Sequence, residues 1–282
     1  MSNSLRPGRP SLTSDHVPLH RPDGDVAVDI LGTGPLVVCV PGMGDLRSTY
    51  RHLVPGLVAS GLRVAVMDLR GHGDSTTGFA EYGDAATAGD IIALVEQPGG
   101  PAVVVGNSMA AGSAVIAAAA RPDLVAGLVL VGPFVRDGEV SWLRRTAWRI
   151  AMSGPWATRV WRAALPSLYQ GDQPADLDGH LAAIADSLRR PGRARAFRRT
   201  TRTSHADAES ALAAAAGRPS LVVMGEQDPD FPDPRAEARW IAARLGGEVL
   251  MVPRAGHYPQ AQRPDLLVGP IVALSREALA GG

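Results

Sequence analysis

The sequence predicts an α/β protein: a doubly wound, mostly parallel sheet with one helical cap insertion. Two patterns and one interruption predict it. Seven short apolar runs alternate with helix-like segments. Most of these runs are near-continuous Val and Leu, as befits parallel strands covered on both faces. The alternation breaks once, over residues 136–215, where helical patterns continue without a convincing strand.

In chain order, residues 1–24 are rich in Pro, Ser and Arg and read as a loose N-terminal arm. Strands are expected at Val26–Leu31, Leu36–Val40, Val64–Met67, Ala102–Val105, Leu128–Val131, Leu221–Met224 and Val249–Val252. Helices are expected near 48–60, 84–96, 108–120, 235–245 and 262–280, with Arg121-Pro122 and Gly246-Gly247 as stop signals. Residues 25–135 and 216–282 then form one core, and 136–215 project from the sheet edge where ligands of such sheets bind.

Composition excludes several classes of function. Basic and acidic residues both number 28, so no net charge points to nucleic acid or to an anionic membrane surface. Lysine is absent, which rules out both a Lys Schiff base and a G-x-x-x-x-G-K-[ST] phosphate loop. "PGMGD" lacks the third glycine of a dinucleotide fingerprint, and no H-E-x-x-H or Cys/His cluster calls for a metal, so no cofactor is expected. The single cysteine, Cys39, sits within an apolar run and reads as a buried hydrophobe. The first residues lack the apolar core of a secretory signal, and no run reaches the length of a membrane span. A cytoplasmic chain without a membrane partner is the expectation.

The segment "VVVGNSMAAGSA" passes from a β-branched run into a small-residue helix at Gly106-Asn107-Ser108-Met109-Ala110. A serine on that corner fits a nucleophile elbow, and an N-cap serine is the alternative. Of seven histidines, His257 lies in the loop directly after the last strand, the place for a general base. His16, His20, His52, His72, His180 and His205 fall in the arm, the first helix, a loop or the insertion. For the acid that orients the base, Asp228 follows the strand ending at Met224. Asp230 competes with it, and Asp137 is more distant.

The order Ser108, Asp228, His257, each in a loop after a strand, resembles the α/β-hydrolase superfamily over about residues 25–280. "VCVPGMGD" is similar to that family's oxyanion loop, and "MDLRGHGDS" to its structural D-x-R-G-x-G-x-S segment. That likeness implies backbone N–H donors at Met43 and Met109 and no catalytic role for His72. Ala110 stands where the elbow pattern has Gly, and Pro41 where the oxyanion loop most often has His. A serine at the elbow argues against dehalogenase or epoxide hydrolase chemistry through an alkyl-enzyme ester.

The implied activity is hydrolysis of an ester, thioester, lactone or activated amide of a small molecule through an acyl-enzyme. A non-hydrolytic use of the fold, as a ligand-binding or signalling protein or as a cofactor-free enzyme with a histidine base, is the rival. The insertion holds 13 Arg against eight acidic residues, together with Trp142, Trp148, Trp156 and Trp161. Gly154-Pro155 should break this tryptophan-rich stretch into two helices. The rings either pack the insertion onto the core or line an apolar pocket over Ser108 for a bulky or aromatic group.

Overall fold

A computed structural model describes residues 15–97, 99–137 and 142–280. Among them, eight strands form one sheet in the order β1-β2-β4-β3-β5-β6-β7-β8. They are β1 (Asp15–Arg21), β2 (Gly24–Leu31), β3 (Leu36–Val40), β4 (Arg63–Met67), β5 (Ala102–Asn107), β6 (Val125–Val131), β7 (Ser220–Gly225) and β8 (Glu248–Val252). From β4 to β8 all neighbours are parallel, while β1 and β2 pair antiparallel with each other and β2 with β4.

The apolar runs of the central strands are continuous because both faces are covered. Val38, Val40 and Val104 enter one core cluster, and Val37, Cys39 and Val103 the other. From β3 the chain passes to β4 on one side and then to β5 on the other. The loops after β3 and β5 therefore meet at the carboxyl edge where the strand order switches, the usual ligand position in such sheets.

The arm expected over residues 1–24 is corrected by β1 from residue 15 onward, and residues 1–14 lie outside the described residues. His16, Leu19 and His20 are held in an antiparallel ladder with β2. Leu19 packs into the core, and His16 and His20 pair across the ladder with Asp29 and Asp25. The polar, Pro-containing composition hid a period-two pattern closed by a tight turn at Pro22-Asp23.

The single helix expected near 48–60 divides into a 3-10 turn at Arg47–Tyr50 and α1 (Val54–Ala59). Pro55 supplies no N–H to continue a helix from the preceding turn, and a new helix starts around it. Core helices α2 (Asp84–Glu96) and α3 (Met109–Ala120) match the expected spans.

Between β6 and β7 lie α4 (Trp142–Ser153), α5 (Ala157–Ala164), α6 (Leu177–Arg189), α7 (Arg193–Thr200) and α8 (Ala206–Ala215). The insertion was expected to extend to residue 215, but α8 packs on α3 and adds Leu212 and Ala215 to the main core. Its alanine-rich face allows that close approach to the equally small side chains of α3. The rest of the insertion shares a separate cluster with the loop after β8, where Trp161, Leu168, Tyr169 and Phe197 join Tyr258 and Ala261. Helices α9 (Pro234–Leu245), α10 (Pro259–Gln262) and α11 (Pro264–Leu279) complete the chain. No described helix is long and apolar enough to cross a membrane.

Candidate active site

Ser108 occupies the corner between β5 and α3 with φ 58° and ψ −125°, in the left-handed half of the map that a side chain disfavours. The corner is held from several sides. Ser108 N–H donates to Val131 O (2.9 Å), Phe134 N–H donates to Ser108 O (3.2 Å), and Asn107 Nδ2 donates to Val131 O (3.0 Å). Small neighbours are required by contact. A Cβ on Gly106 would fall 2.4 Å from Ala110 O, so strand and helix backbones nearly touch there. No side-chain N-cap bond from Ser108 to α3 is formed, which removes the stabilising reading of this serine.

His257 lies in the loop after β8, with its N–H donated to Leu168 O of the insertion (2.8 Å). Its Nδ1 is 2.8 Å from Asp228 Oδ2, and both side chains are buried. Asp230 Oδ2 is 3.6 Å from the same nitrogen, on a side chain one-third exposed. The loops can approach because two glycines stand between them. A Cβ on Gly225 would fall 2.0 Å from Gly256 O, and one on Gly132 would fall 3.0 Å from His257 Nδ1. Burial pushes His257 toward the neutral form, but Asp228, Asp230 and Asp45 outweigh it and raise its pKa to about 9. Asn107 Nδ2 also reaches His257 O (3.3 Å), tying the serine corner to the histidine loop.

The third component is the turn after β3. A Cβ on Gly42 would fall 2.7 Å from Ser108 Cβ, so the backbone before Met43 lies directly against the serine. Met109 opens α3, whose first N–H groups have no acceptor within the helix. The structure thus brings Ser108, His257, Asp228 and the Met43 and Met109 peptides to one edge of the sheet.

Asp137 is directed elsewhere: it accepts from Ser204 Oγ (2.7 Å) and His205 N–H (3.2 Å). Of the four tryptophans, the structure places the side chains of two. The side chains of Trp142 and Trp148 lie outside the described residues. Trp156 is 46% exposed with its ring over Gly154, so it faces solvent rather than enclosing a pocket. Trp161 is buried, packed against Phe197, and its indole N–H donates to Gly44 O (3.0 Å).

Two rings on the histidine side of the site belong to no motif of the sequence. Phe134, three residues after β6, lies 5.9 Å from the His257 ring and 5.0 Å from Phe231 (centroid distances). Both phenylalanines follow strand ends at the carboxyl edge, and that placement is the signal that could have singled them out. A cleft of about 700 Å³ between the 47–50 turn and α6 is lined by Arg47, Arg51, Asp68 and Arg190, but by none of Ser108, Asp228 or His257. Its arginines are neutralised by Asp29, Asp68, Asp74 and Asp176.

The sequence profile of the alpha/beta hydrolase family matches residues 37–269, most of the chain. The chain belongs to the alpha/beta hydrolase family. Within that family, epoxide hydrolase B of Mycobacterium tuberculosis is 31% identical over 167 residues, which cover 55% of this chain and 44% of that protein. The chain therefore spans less than half the length of that relative. The 2-(acetamidomethylene)succinate hydrolase of Mesorhizobium japonicum is 27% identical over 273 residues, 90% of this chain and 94% of that one. An alpha/beta hydrolase fold protein from Burkholderia ambifaria shares the fold with a TM-score of 0.76 at 23% identity, over 92% of this chain and all of that one. As an alpha/beta hydrolase, this chain carries serine as the side chain at the β5–α3 corner.

Proposed function

We propose that this alpha/beta hydrolase is a serine hydrolase that cleaves an ester, thioester, lactone or activated amide of a small molecule with an apolar or aromatic part. The observation that carries the reading is the buried Asp228–His257 pair, tied through Asn107 Nδ2 to the strained corner that bears Ser108.

Asp228 accepts the Nδ1 proton of His257, which leaves Nε2 to take the Ser108 proton as the hydroxyl attacks a carbonyl carbon. The attack turns the carbonyl oxygen into an oxyanion, which the Met43 and Met109 N–H groups stabilise, each by about 3 kcal/mol in comparable sites. The imidazolium then passes its proton to the leaving group, and the bond to that group breaks. Water, deprotonated by the same histidine, releases the acyl group and restores Ser108. Each step balances with substrate and water alone.

Opening an epoxide through an alkyl-enzyme ester needs a carboxylate nucleophile, so the name of the mycobacterial relative does not carry over to Ser108. The half-buried ring of Phe134 beside His257, with Phe231 packed against it, supports an apolar or aromatic substituent on the substrate. A fluorophosphonate probe followed by peptide mapping tests the reading. Labelling of Ser108 in the wild-type chain, and its loss in His257→Ala, is the expected result. An unlabelled Ser108 would shift the assignment to a non-hydrolytic use of the fold.

A further inference from the structure

The four residues Gly42–Asp45 form a turn wedged between the nucleophile and the helical insertion. On one side Gly42 touches Ser108. On the other, a Cβ at Gly44 (φ +73°) would fall 2.3 Å from Trp161 Nε1 and 2.8 Å from Phe197 Cε2. Several polar groups of the turn are held. Asp45 N–H donates to Gly42 O (3.3 Å), and Gly44 N–H donates to His72 Nε2 (3.1 Å). Trp161 Nε1–H donates to Gly44 O (3.0 Å), and Asp45 Oδ1 pairs with His180 Nε2 (2.9 Å), both of these side chains being buried.

His72 is fixed for its part by the core. Its Nδ1 lies 3.0 Å from Arg70 O, which sets the proton on Nδ1 and leaves Nε2 as the acceptor for Gly44. The remaining two anchors, Trp161 on α5 and His180 on α6, come from the insertion. A peptide unit is planar, so the direction of the Gly42 carbonyl into the turn fixes the opposite direction of the Met43 N–H. Anything that lets Gly44 or Asp45 rotate also re-aims that donor. A donor displaced from the oxyanion loses most of its value, because the stabilisation depends on preorganisation.

We propose that Trp161 and His180 are positioning residues that hold the oxyanion turn in its working geometry, so that the insertion controls the chemical step and not only access to it. The inference rests on the serine-hydrolase reading above. Trp161 acts through its indole N–H on the Gly44 carbonyl, and His180 acts through the Asp45 carboxylate. Neither needs to touch the substrate.

Trp161→Phe keeps a ring against Gly44 and removes only the donor. Asp45 Oδ1 also accepts the Leu46 N–H (2.7 Å), so His180→Leu removes its side-chain partner and leaves that local bond, while His180→Gln returns an N–H within reach. Amide hydrogen exchange of the 41–47 segment and steady-state hydrolysis of a chromogenic ester are measured on the full chain, with thermal unfolding as a check on folding. We expect exchange of the turn to speed up at least tenfold in Trp161→Phe and His180→Leu. We expect kcat to fall roughly 10- to 100-fold with KM within about twofold, below the loss from deleting a donor outright, and His180→Gln to recover much of it. Should Trp161→Phe fail to fold, His180→Leu carries the same test.

Exchange at the wild-type rate in both variants overturns the proposal, as does faster exchange with kcat unchanged. A raised KM at constant kcat also overturns it, since Trp161 would then contact substrate. A wild-type chain that neither hydrolyses the ester nor takes a fluorophosphonate on Ser108 sinks the hydrolase reading and this role together. A wild type that does both, with unaffected variants, sinks the positioning role alone.

Discussion

Asp228 Oδ2 stands 2.8 Å from His257 Nδ1, both side chains buried, and the competing Asp230 carboxylate stands 3.6 Å from the same nitrogen. Burial by itself would drive the proton off His257, yet the two carboxylates and Asp45 hold it on to about pH 9. A general base accepts a proton only when neutral, so kcat/KM should rise with pH and reach half its maximum near pH 9. Asp230→Asn removes one of the charges that raise this pKa. The acid limb should then move to lower pH while the plateau stays within a few fold. Asp228→Asn also removes the acceptor that sets the tautomer, and the plateau should drop by about 10⁴-fold. A limb that stays in place in Asp230→Asn, or a mild Asp228→Asn, contradicts these roles.

On the proposed mechanism Ser108 and His257 act in the same step, so their losses should not add. Ser108→Ala and His257→Ala should each abolish measurable hydrolysis without unfolding the chain. The double variant should be little worse than either single one. Rates for the three variants against the same activated ester decide this. Losses that multiply would mean that the two side chains serve separate functions.

The same histidine links pH to stability. Its imidazole titrates near 6.5 when exposed in the unfolded chain and at about 9 in the folded protein, so the fold binds this proton more tightly than the unfolded chain does. The resulting stabilisation is complete below pH 6.5 and disappears as pH rises through about 9. Tm of the wild-type chain should therefore fall across that window more steeply than Tm of His257→Gln. Parallel Tm curves for the two proteins would show that the proton is not held this way.

The strand runs were legible because β3, β5, β6 and β7 are buried on both faces and are apolar along nearly their whole length. Ser108, Asp228 and His257 were legible because a loop after a strand fixes which edge of the sheet a side chain serves. β1 was not, since His16 and His20 carry polar partners across the ladder and only Leu19 marks its inner face. The bond from Trp161 to Gly44 joins residues 117 apart in sequence, and that from His180 to Asp45 joins residues 135 apart. No local pattern encodes such pairs, because they depend on how the insertion settles on the core. The tryptophans stand out by their size, but Trp156 ends in solvent and Trp161 in packing, and the rings beside His257 include Phe134, with Phe231 tilted against it.

That placement gives the substrate prediction. Phe134 keeps its backbone bond to Ser108 O whatever its side chain, so Phe134→Ala removes a ring and leaves the elbow tied. A bulky or aromatic acyl group should lose an aromatic contact of about 1.5 kcal/mol, roughly a tenfold fall in kcat/KM. An acetyl group, too short to reach the ring, should lose little. Trp156→Ala, by contrast, should leave the large-to-small preference unchanged, because that ring is turned to solvent. Comparing kcat/KM for acetyl, butyryl and benzoyl esters of one chromogenic alcohol separates the two cases. If Phe134→Ala slows all three esters equally, the ring supports the loop beside His257 and does not face the substrate. If Trp156→Ala shifts the preference instead, the pocket wall is built by the insertion.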